Sequence, residues 1–382
     1  MFDWRAYLRH IDYLLLAATA GLVIYGVTVI YFATRHDVLG SPLYFVRQQV
    51  VALVLGVVAT VVVTLIDYEV YRRFQWVFYG VSVLLLVTVL FLGVTVLGAT
   101  RWFDLGVTRF QPSAAALLFL PLGIGAYLAD RMDLLGSKRV TAIALALVAV
   151  PALLVYKEPD FGSAMVMVVL VLAMLYFYGT PWTHFAVLGG TGAAAFVVAL
   201  EILPLAGIHL IQTYQLQRLF VFVNAGNDPS GSGYNVIQST IAVGSGMLTG
   251  RGNMATQTGL DFLPEHHTDF IFAVVSERFG FVGAVLLLAL YALFIWRCLR
   301  IATLSRDMYG SILAGGIGVM VLFQVFVNIG MTIGIMPVTG IPLPFVSYGG
   351  TALISFLMLV GLLEAIHLRA SLTASDRGRI VR

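Results

Sequence analysis

Long runs of apolar residues, broken by short polar or charged segments, form the main pattern along this chain. Residues 161–200 contain no Asp, Glu, Lys or Arg. About 20 helical residues cross the hydrocarbon core of a membrane, so this run predicts two spans joined by the turn "YGTPW". Inside lipid, every backbone amide must be satisfied within its own segment. The pattern therefore predicts an all-α polytopic membrane protein.

Ten transmembrane helices are predicted in this way, in a single domain over residues 1–382. They lie near 11–33, 48–66, 75–98, 113–130, 139–156, 162–178, 183–204, 270–296, 309–336 and 345–367. The predicted termini and even-numbered loops carry fourteen Lys and Arg residues, and the odd-numbered loops carry seven. By the positive-inside rule, both termini are predicted to be cytoplasmic, with a tail over about 369–382.

The segment from about 205 to 269, between helices seven and eight, is then extracytoplasmic. Loops of this length are usually functional or disordered, and its apolar content argues against disorder. Its middle, "YNVIQSTIAVGSGML", predicts a short amphipathic or re-entrant helix. We expect an ordered loop that packs on the bundle.

Composition narrows the possible functions. With 60% apolar and 11% charged residues, the chain is not an ordinary soluble domain. The single cysteine, Cys298, excludes an internal disulfide and argues against a cysteine-based metal site. The Gly-rich stretch "GSGMLTGRG" lacks the residues of a P-loop, and the basic residues follow the topology rule. No nucleotide or nucleic-acid partner is predicted.

Charged and polar residues cluster at the predicted outer ends of the spans. Such groups are costly near a bilayer unless they pair or line a wet cavity. The arginines suit phosphate oxygens, so the cluster predicts an anion site beside a carboxylate, although any single arginine is equally compatible with a solvated interface. Its members are Arg47, Arg101, Asp104, Arg109, Gln111, Lys157, Glu158, Asp160, Arg218, Arg251, Glu265, His266, His267 and Asp269.

Asp269 precedes the eighth predicted span and has two interpretations. A partly desolvated carboxylate there could act as a general base. On spacing alone, the favoured interpretation is the N-cap of the helix, with Thr268 as the other capping candidate. The neighbouring pair His266 and His267 suggests metal binding, but adjacent side chains seldom ligate one ion together. No metal ligands are predicted.

The stretch "PVTGIPLPFVSYGGT" (337–351) interrupts the apolar pattern between the last two spans. Irregular backbone at membrane depth is tolerated where it is buried in protein or lines a cavity. The stretch predicts either such a re-entrant loop, with Ser347 and Tyr348 offering polar contacts, or a plain tight connection.

Several motifs together resemble the SEDS family (shape, elongation, division and sporulation), over roughly residues 11–368. They are "RWFDLGVTRFQPS", "EPDFGSA", "YQLQR", "DPSGSGYNVIQSTIAVGSG", "FLPEHHTDFIFAVVSERFGFVGA" and "NIGMTIGIMPVTGIPLPFVSYGG". The last stretch is more similar to the rod-shape branch, RodA, than to the division branch, FtsW.

The resemblance implies a membrane glycosyltransferase of the bacterial plasma membrane that polymerises lipid II for cell-wall elongation with a class B penicillin-binding protein. It implies Asp269 as the base on the acceptor 4-hydroxyl, with undecaprenyl pyrophosphate leaving. Other residues would bind substrate. The resemblance also implies a possible divalent cation, Mg²⁺ or Mn²⁺, whose ligands cannot be read from the sequence. The implied substrate-binding residues are Arg47, Arg101, Arg109, Gln111, Lys157, Asp160, Arg218 and Ser347.

One departure from the family pattern concerns "QPSAAALLFL". Ala114 and Leu117 stand where the resemblance implies a Glu and a Lys, through natural divergence or deliberate substitution. We therefore expect weak polymerase activity. Two other functions stay open: a flippase for the same lipid, and a scaffold that activates a penicillin-binding protein. A transporter should show internal repeats and mid-membrane polar residues, which the sequence lacks.

Overall fold

A computed structural model describes residues 9–35, 37, 41–96, 99–104, 106, 109–202, 204–206, 222, 232–257 and 262–380. Within these residues, ten helices are long and apolar enough to cross a membrane. They are α1 (Tyr13–Thr34), α2 (Tyr44–Leu65), α4 (Gln75–Leu92), α5 (Pro112–Ala129), α6 (Lys138–Lys157), α7 (Phe161–Tyr178), α8 (Trp182–Val197), α10 (Ile271–Leu304), α11 (Met308–Thr332) and α12 (Gly350–Ile380). Two shorter helices, α3 (Tyr68–Arg73) and α9 (Ser232–Ser245), lie between them. The ten predicted spans are confirmed, and the side on which the termini lie stays a prediction.

A small sheet corrects the all-α prediction at one place. The third span was expected to reach residue 98, but α4 ends at Leu92. Three short antiparallel strands follow, in the order β1 (Val94–Val96), β2 (Ala99–Asp104) and β3 (Arg109–Phe110). Their β-branched and aromatic residues favour a pleated surface, and the paired Thr95 and Thr100 hydroxyls lie 2.7 Å apart. The sheet places the cluster residues of β2 and β3 next to the start of α5.

The helices differ sharply in how much of their surface the bundle covers. Sixteen of the eighteen residues of α5 are buried, whereas α8 has no buried residue. α5 packs against α4, α7, α11 and α12, and α12 lies along α2. There the Thr60 hydroxyl donates to the Leu357 carbonyl at 2.8 Å. The core is therefore built around α5, and α8 lies at its periphery.

The two ends of the chain carry additional helical and charged contacts. α12 continues past the predicted span and includes most of the predicted tail. Arg369 donates to the carbonyls of Thr64 and Leu65 at 2.8 and 3.0 Å, at the end of α2. Arg297 pairs with Asp12 at the start of α1. These contacts join the helix ends on the predicted cytoplasmic side.

The described part of the long outer segment packs on the bundle. α9 covers the stretch for which a short helix was predicted, and the Ser239 hydroxyl donates to the Thr332 carbonyl at 3.0 Å. The chain after α9 binds where α10 is kinked at Gly280 (φ 63°, ψ −158°). There the Phe281 amide donates to Met247 at 2.9 Å. Residues 207–221, 223–231 and 258–261, including predicted site residue Arg218, lie outside the described residues.

Candidate functional site

An irregular loop between α11 and α12 lies at the centre of the candidate site. We call residues 337–349 the proline–glycine loop; Ile341 and residues 343–347 within it are buried. The Asn328 side chain donates to the Ile341 carbonyl at 2.8 Å, and the Tyr291 hydroxyl donates to Pro344. Phe345 has a positive φ of 66°, held by this packing. Irregular backbone buried within protein agrees with the re-entrant alternative.

The turn that carries Asp269 is held against this loop through its main chain. Three successive carbonyls accept hydrogen bonds. His267 O accepts from the Tyr348 amide at 3.0 Å, Thr268 O from the Ser347 hydroxyl at 2.6 Å, and Asp269 O from the Asn328 side chain at 2.8 Å. The backbone of residues 267–269 is therefore fixed in place, which positions the Asp269 side chain.

The capping interpretation of Asp269 is wrong. α10 begins at Ile271 and its N-cap residue is Phe270, which has no side-chain cap hydrogen bond. Thr268 is not the cap either, because its hydroxyl donates to Glu265. Capping therefore does not account for the carboxylate of Asp269.

Gly340 brings two acidic segments together. It has a φ of +72°, and a Cβ placed on it would lie 3.3 Å from Asp269 Oδ2. The first turn of α7 also approaches this part of the loop, since a Cβ on Gly162 would lie 2.8 Å from Thr339 O and 3.6 Å from the Gly340 carbonyl carbon. Asp160 is the N-cap of that helix. The structure therefore places the segments that carry Asp160 and Asp269 against the same turn of the loop.

The Asp160 carboxylate is buried and engaged by several donors. Its Oδ1 accepts from the Ser163 amide at 3.1 Å, and its Oδ2 accepts from the Ser163 hydroxyl at 2.8 Å. Ser113, in the first turn of α5, donates at 3.3 Å, and Gln111 Nε2 lies 3.5 Å away. Arg101 Nη1 is 3.8 Å from Oδ2. Asp160 thus joins β2, α5 and α7, and it holds the Arg101 guanidinium at this end of the bundle.

Arg109 and Gln111 are attached to the start of α12. The Thr351 hydroxyl donates to the Arg109 carbonyl at 3.2 Å, and it accepts from the Gln111 amide at 3.1 Å. The exposed Arg109 side chain acts electrostatically on Tyr348, whose ring packs 5.8 Å from that of His267. Burial nevertheless raises the pKa of Tyr348 to about 12. Arg109 is therefore held by Thr351 next to the end of the proline–glycine loop, whose residue Tyr348 contacts the Asp269 turn.

The remaining predicted residues lie at the same end of the bundle in different settings. Arg47, in the first turn of α2, is exposed beside Gln48, which accepts from the Tyr348 hydroxyl. Lys157 is the exposed last residue of α6. The buried Ser347 hydroxyl accepts from the Leu343 amide at 2.8 Å, besides donating to Thr268. Ser347 thus shapes the loop, and its predicted substrate contact stays a prediction.

Glu158, one residue past α6, differs from every other carboxylate described at this end. It is 1% exposed, and neither carboxylate oxygen has a hydrogen-bond partner among the described residues. Burial, reinforced by nearby Asp160 and opposed by Arg101, raises the pKa of Glu158 to about 8. A neutral carboxylic acid therefore lies beside the Asp160 network at neutral pH.

Sequence reasoning missed three residues that assemble this region. Asn328 fixes both Asp269 and Ile341, and Gln49 Oε1 accepts from the Gly349 amide at 3.2 Å. Both are buried amides within membrane-spanning helices, a signal that marks functional positions in membranes. Asp37, after α1, lies beside His266 and His267; no spacing in the sequence indicates this proximity.

The fold and the site define a polytopic membrane protein with acidic and basic side chains gathered around one irregular loop. The profile of the FtsW, RodA and SpoVE family, described as cell cycle protein, matches residues 12–372. The chain belongs to this family, as the sequence resemblance predicted.

Individual relatives agree over nearly the whole chain. Peptidoglycan glycosyltransferase MrdB of Escherichia coli K12 is 39% identical over 359 residues, covering 94% of each chain. Stage V sporulation protein E of Bacillus subtilis 168 is 35% identical over 91% of this chain and 93% of its own.

Solved structures are also similar. The rod shape determining protein RodA of Thermus thermophilus superposes with a TM-score of 0.68 at 30% identity, covering 94% of this chain and 96% of its own. A chain from a peptidoglycan synthase complex, described as coordinating polymerization and crosslinking, gives a TM-score of 0.78 at 32% identity. It covers 94% of this chain and 98% of its own.

Proposed function

We propose that this chain is a peptidoglycan glycosyltransferase that polymerises lipid II into glycan strands for cell-wall elongation. Family membership and relatives that carry the name peptidoglycan glycosyltransferase support the activity. The site assignment rests on the hydrogen bonds to the carbonyls of residues 267–269, because they fix the backbone of Asp269 beside Gly340. The N-cap of α10 is Phe270, so capping does not account for the Asp269 carboxylate.

In the proposed reaction, Asp269 takes the proton from the 4-hydroxyl of the acceptor sugar. The oxygen attacks the anomeric carbon of the donor from the face opposite the leaving group. A glycosidic C–O bond forms, the C–O bond to the pyrophosphate breaks, and undecaprenyl pyrophosphate leaves with the electron pair. Configuration at the anomeric carbon is inverted, and the proton remains on Asp269 until it is released to solvent.

Negative charge develops on the pyrophosphate as it leaves, and fixed cations in a water-poor site stabilise such charge strongly. We assign this task to Arg101 and Arg109, with Arg47, Lys157 and Arg218 as further contacts to lipid II. Arg101 is held by Asp160 and stacks over the Trp102 ring at 4.7 Å. A pre-oriented guanidinium of this kind loses little freedom when it binds an anion.

A divalent cation such as Mg²⁺ or Mn²⁺ fits the same proposal by residue type. Such ions commonly bind through one or two carboxylates together with substrate phosphates. Asp160, at the start of α7, and Asp269, beside Gly340, are the carboxylates that would hold the ion. The ion would supply further stabilisation of pyrophosphate charge, and the proton transfer proposed above does not depend on it.

The proposal includes a partner and a location. A relative's structure is that of a peptidoglycan synthase complex in which polymerization and crosslinking are coordinated. We propose a class B penicillin-binding protein, the transpeptidase that crosslinks the product, as the partner here. The ten apolar helices place the chain in a membrane, and its proposed substrate makes that the bacterial plasma membrane.

Purified full-length protein, assayed with lipid II with and without the transpeptidase, tests the function. The Asp269→Asn variant should reduce glycan polymerisation by about 10²–10⁴-fold, the usual contribution of a general base. Asp104→Asn is the matched control, since Asp104 is an exposed outer carboxylate that binds the Gly106 amide at 2.8 Å.

The alternatives give different results in the same preparations. Lipid II translocation that survives Asp269→Asn, without polymerisation in the wild type, would instead identify a flippase. A wild-type chain that only stimulates its transpeptidase would be a scaffold. Equal polymerisation by wild type and Asp269→Asn would reject the base assignment while leaving the activity in place.

A further inference from the structure

Three side chains with metal-binding groups converge next to the Asp269 turn. Asp37 follows the C-terminal end of α1, and His266 and His267 belong to the turn before α10. One ligand atom from each lies within 4.8 Å of the others. Sequence reasoning set the histidine pair aside because adjacent side chains seldom share an ion. That objection applies to regular elements, and here the pair lies in a turn, with the third ligand contributed by another segment.

The surroundings of His266 suit a metal-bound imidazole. His266 Nδ1 lies 2.8 Å from the Leu263 carbonyl, so with an ion bound, Nδ1–H would donate to that carbonyl and the lone pair of Nε2 would bind the ion. Nε2 is directed at the remaining oxygen groups, 3.7 Å from Asp37 Oδ2 and 3.2 Å from the Ala33 carbonyl in the last turn of α1. A carbonyl that orients the distal nitrogen is the usual support of a metal-ligating histidine.

Packing also holds the second ring in place. The His267 ring lies 5.0 Å from the Phe45 ring and 5.8 Å from the Tyr348 ring. The two imidazoles are 5.4 Å apart and inclined at 77°, so they approach the common point from different directions. Two pre-oriented rings and a carboxylate on the adjacent segment form a partly assembled coordination shell.

We propose that Asp37, His266 and His267 bind a divalent transition-metal ion, with Zn²⁺ the preferred occupant and the Ala33 carbonyl oxygen as the fourth ligand. Imidazole suits Zn²⁺, Co²⁺ and Ni²⁺, whereas Mg²⁺ takes oxygen ligands almost exclusively. Tetrahedral Zn²⁺ with bonds of about 2.0–2.1 Å would draw the Asp37 carboxylate towards the fixed rings. This ion would therefore differ, in its ligands and in the metal that they prefer, from an ion bound through substrate phosphates.

The site would tie the outer end of α1 to the segment that carries Asp269. His267 is two residues from Asp269, and its carbonyl already accepts from Tyr348. The proposed role is to hold this turn against the proline–glycine loop. It does not depend on glycosyltransferase activity, so failure of the proposed function would leave it unaffected.

Full-length protein in detergent, purified with an affinity tag that lacks histidine, tests the proposal. After removal of metals by chelation, wild type should rebind about one Zn²⁺ per chain by elemental analysis. It should also show the visible absorption of tetrahedral Co²⁺ and a rise in Tm with Zn²⁺. Asp37→Asn and His266→Gln should each weaken Zn²⁺ binding by roughly tenfold or more. Substituting a residue that only hydrogen-bonds to a metal ligand already lowers metal affinity by about 10–100-fold.

Two control variants separate this site from adventitious binding. Asp104→Asn removes another outer carboxylate, and His184→Gln removes a histidine that contacts Thr141 at 3.0 Å; both should retain the Zn²⁺ stoichiometry and the shift in Tm. Equal binding by all variants would overturn the proposal, as would competition by Mg²⁺ at similar concentration. A wild type without a Zn²⁺-dependent change in Tm would also overturn it, leaving His266 and Asp37 as an ordinary ion pair.

Discussion

The segments that carry Asp160 and Asp269 both approach Gly340, and the protein holds the two residues in different ways. Asp160 is held by its side chain, whose oxygens accept from Ser163 and Ser113 in a site only 4% exposed. Asp269 is held by its main chain, through Asn328 and the hydrogen bonds on the two preceding carbonyls. The two aspartates therefore lie in one small region but are held through different groups, the side chain in Asp160 and the main chain in Asp269.

This difference suggests separate roles: Asp160 supports the structure, and Asp269 is the proposed base. A carboxylate surrounded by donors joins β2, α5 and α7 and orients Arg101. The hydrogen bonds to the carbonyls of residues 267–269 hold the backbone of Asp269 and so give its side chain a defined position, as precise reactive groups require. The comparison predicts that substitutions at the two positions will affect stability and activity in different proportions.

Asp160→Ala is the largest expected effect on stability. It removes an N-cap, worth about 0.5–2 kcal/mol, and leaves buried donors unsatisfied at about 1–3 kcal/mol. Thermal unfolding in detergent should show a markedly lower Tm, while Asp104→Ala at an exposed site should change little. An Asp160→Ala protein with wild-type Tm would show that the network does not support the fold.

Gly340→Ala should act next most strongly, and on activity in particular. Alanine at φ +72° is strained by roughly 1–2 kcal/mol, and its Cβ would be 3.3 Å from Asp269 Oδ2. The contact would move Asp269 by a few tenths of an ångström, and since a 1 Å displacement of a reactive group can cost about 100-fold, lipid II polymerisation should fall by roughly 3–10-fold. Gly349→Ala is the control in the same loop, because its Cβ would meet only Ala352 at 3.6 Å. Equal activity of the two variants would contradict the close approach.

An effect in the opposite direction, an increase in polymerisation activity, is expected when charged residues are placed near Asp160. Leu117 is buried one helical turn after Ser113, whose hydroxyl is 3.3 Å from Asp160. A lysine there would bring an ammonium group to the Asp160 and Glu158 carboxyls, and a glutamate at the half-buried Ala114 would pair with it at i, i+3.

The double variant Ala114→Glu, Leu117→Lys should therefore polymerise lipid II faster than the parent chain, by roughly tenfold if one charged contact is regained. Leu117→Met, which preserves apolar volume, should leave the rate unchanged. Equal rates for the parent and the double variant would remove the reason for expecting weak activity from "AAALL".

The sequence predicted the spans because helices that cross lipid need long apolar runs. The role of Asp269 was inferred through motif resemblance and stays a prediction. The sequence did not predict the sheet, whose short strands follow a span without a polar break. Asn328 was overlooked because its neighbours along the chain are apolar, and Gln49 because it follows Arg47 and Gln48 at the start of a span, although buried amides are themselves a signal. The contact of Asp37 with the histidines joins distant segments, and only the packing of α1 beside α10 brings them together.

Glu158 should show the smallest effect, visible as a change with pH. Burial raises its pKa in the folded protein to about 8, from 4.5 as the ordinary value. Below about pH 4.5 the Glu158 carboxyl is protonated in both the folded and the unfolded chain, so it adds no pH dependence to the free energy of unfolding. Between these values the unfolded chain releases the proton while the folded protein keeps it, so stability falls as pH rises, and the loss levels off above about pH 8.

Glu158→Gln keeps the shape and burial but removes the titration. Its Tm relative to wild type should therefore increase steadily from about pH 5 to pH 8 and then remain constant, in scans of both proteins in one detergent. Asp104→Asn should give a flat difference over the same range. A flat difference for Glu158→Gln as well would mean that its carboxyl is solvated, and the contrast between a neutral Glu158 and its engaged neighbour Asp160 would then be wrong.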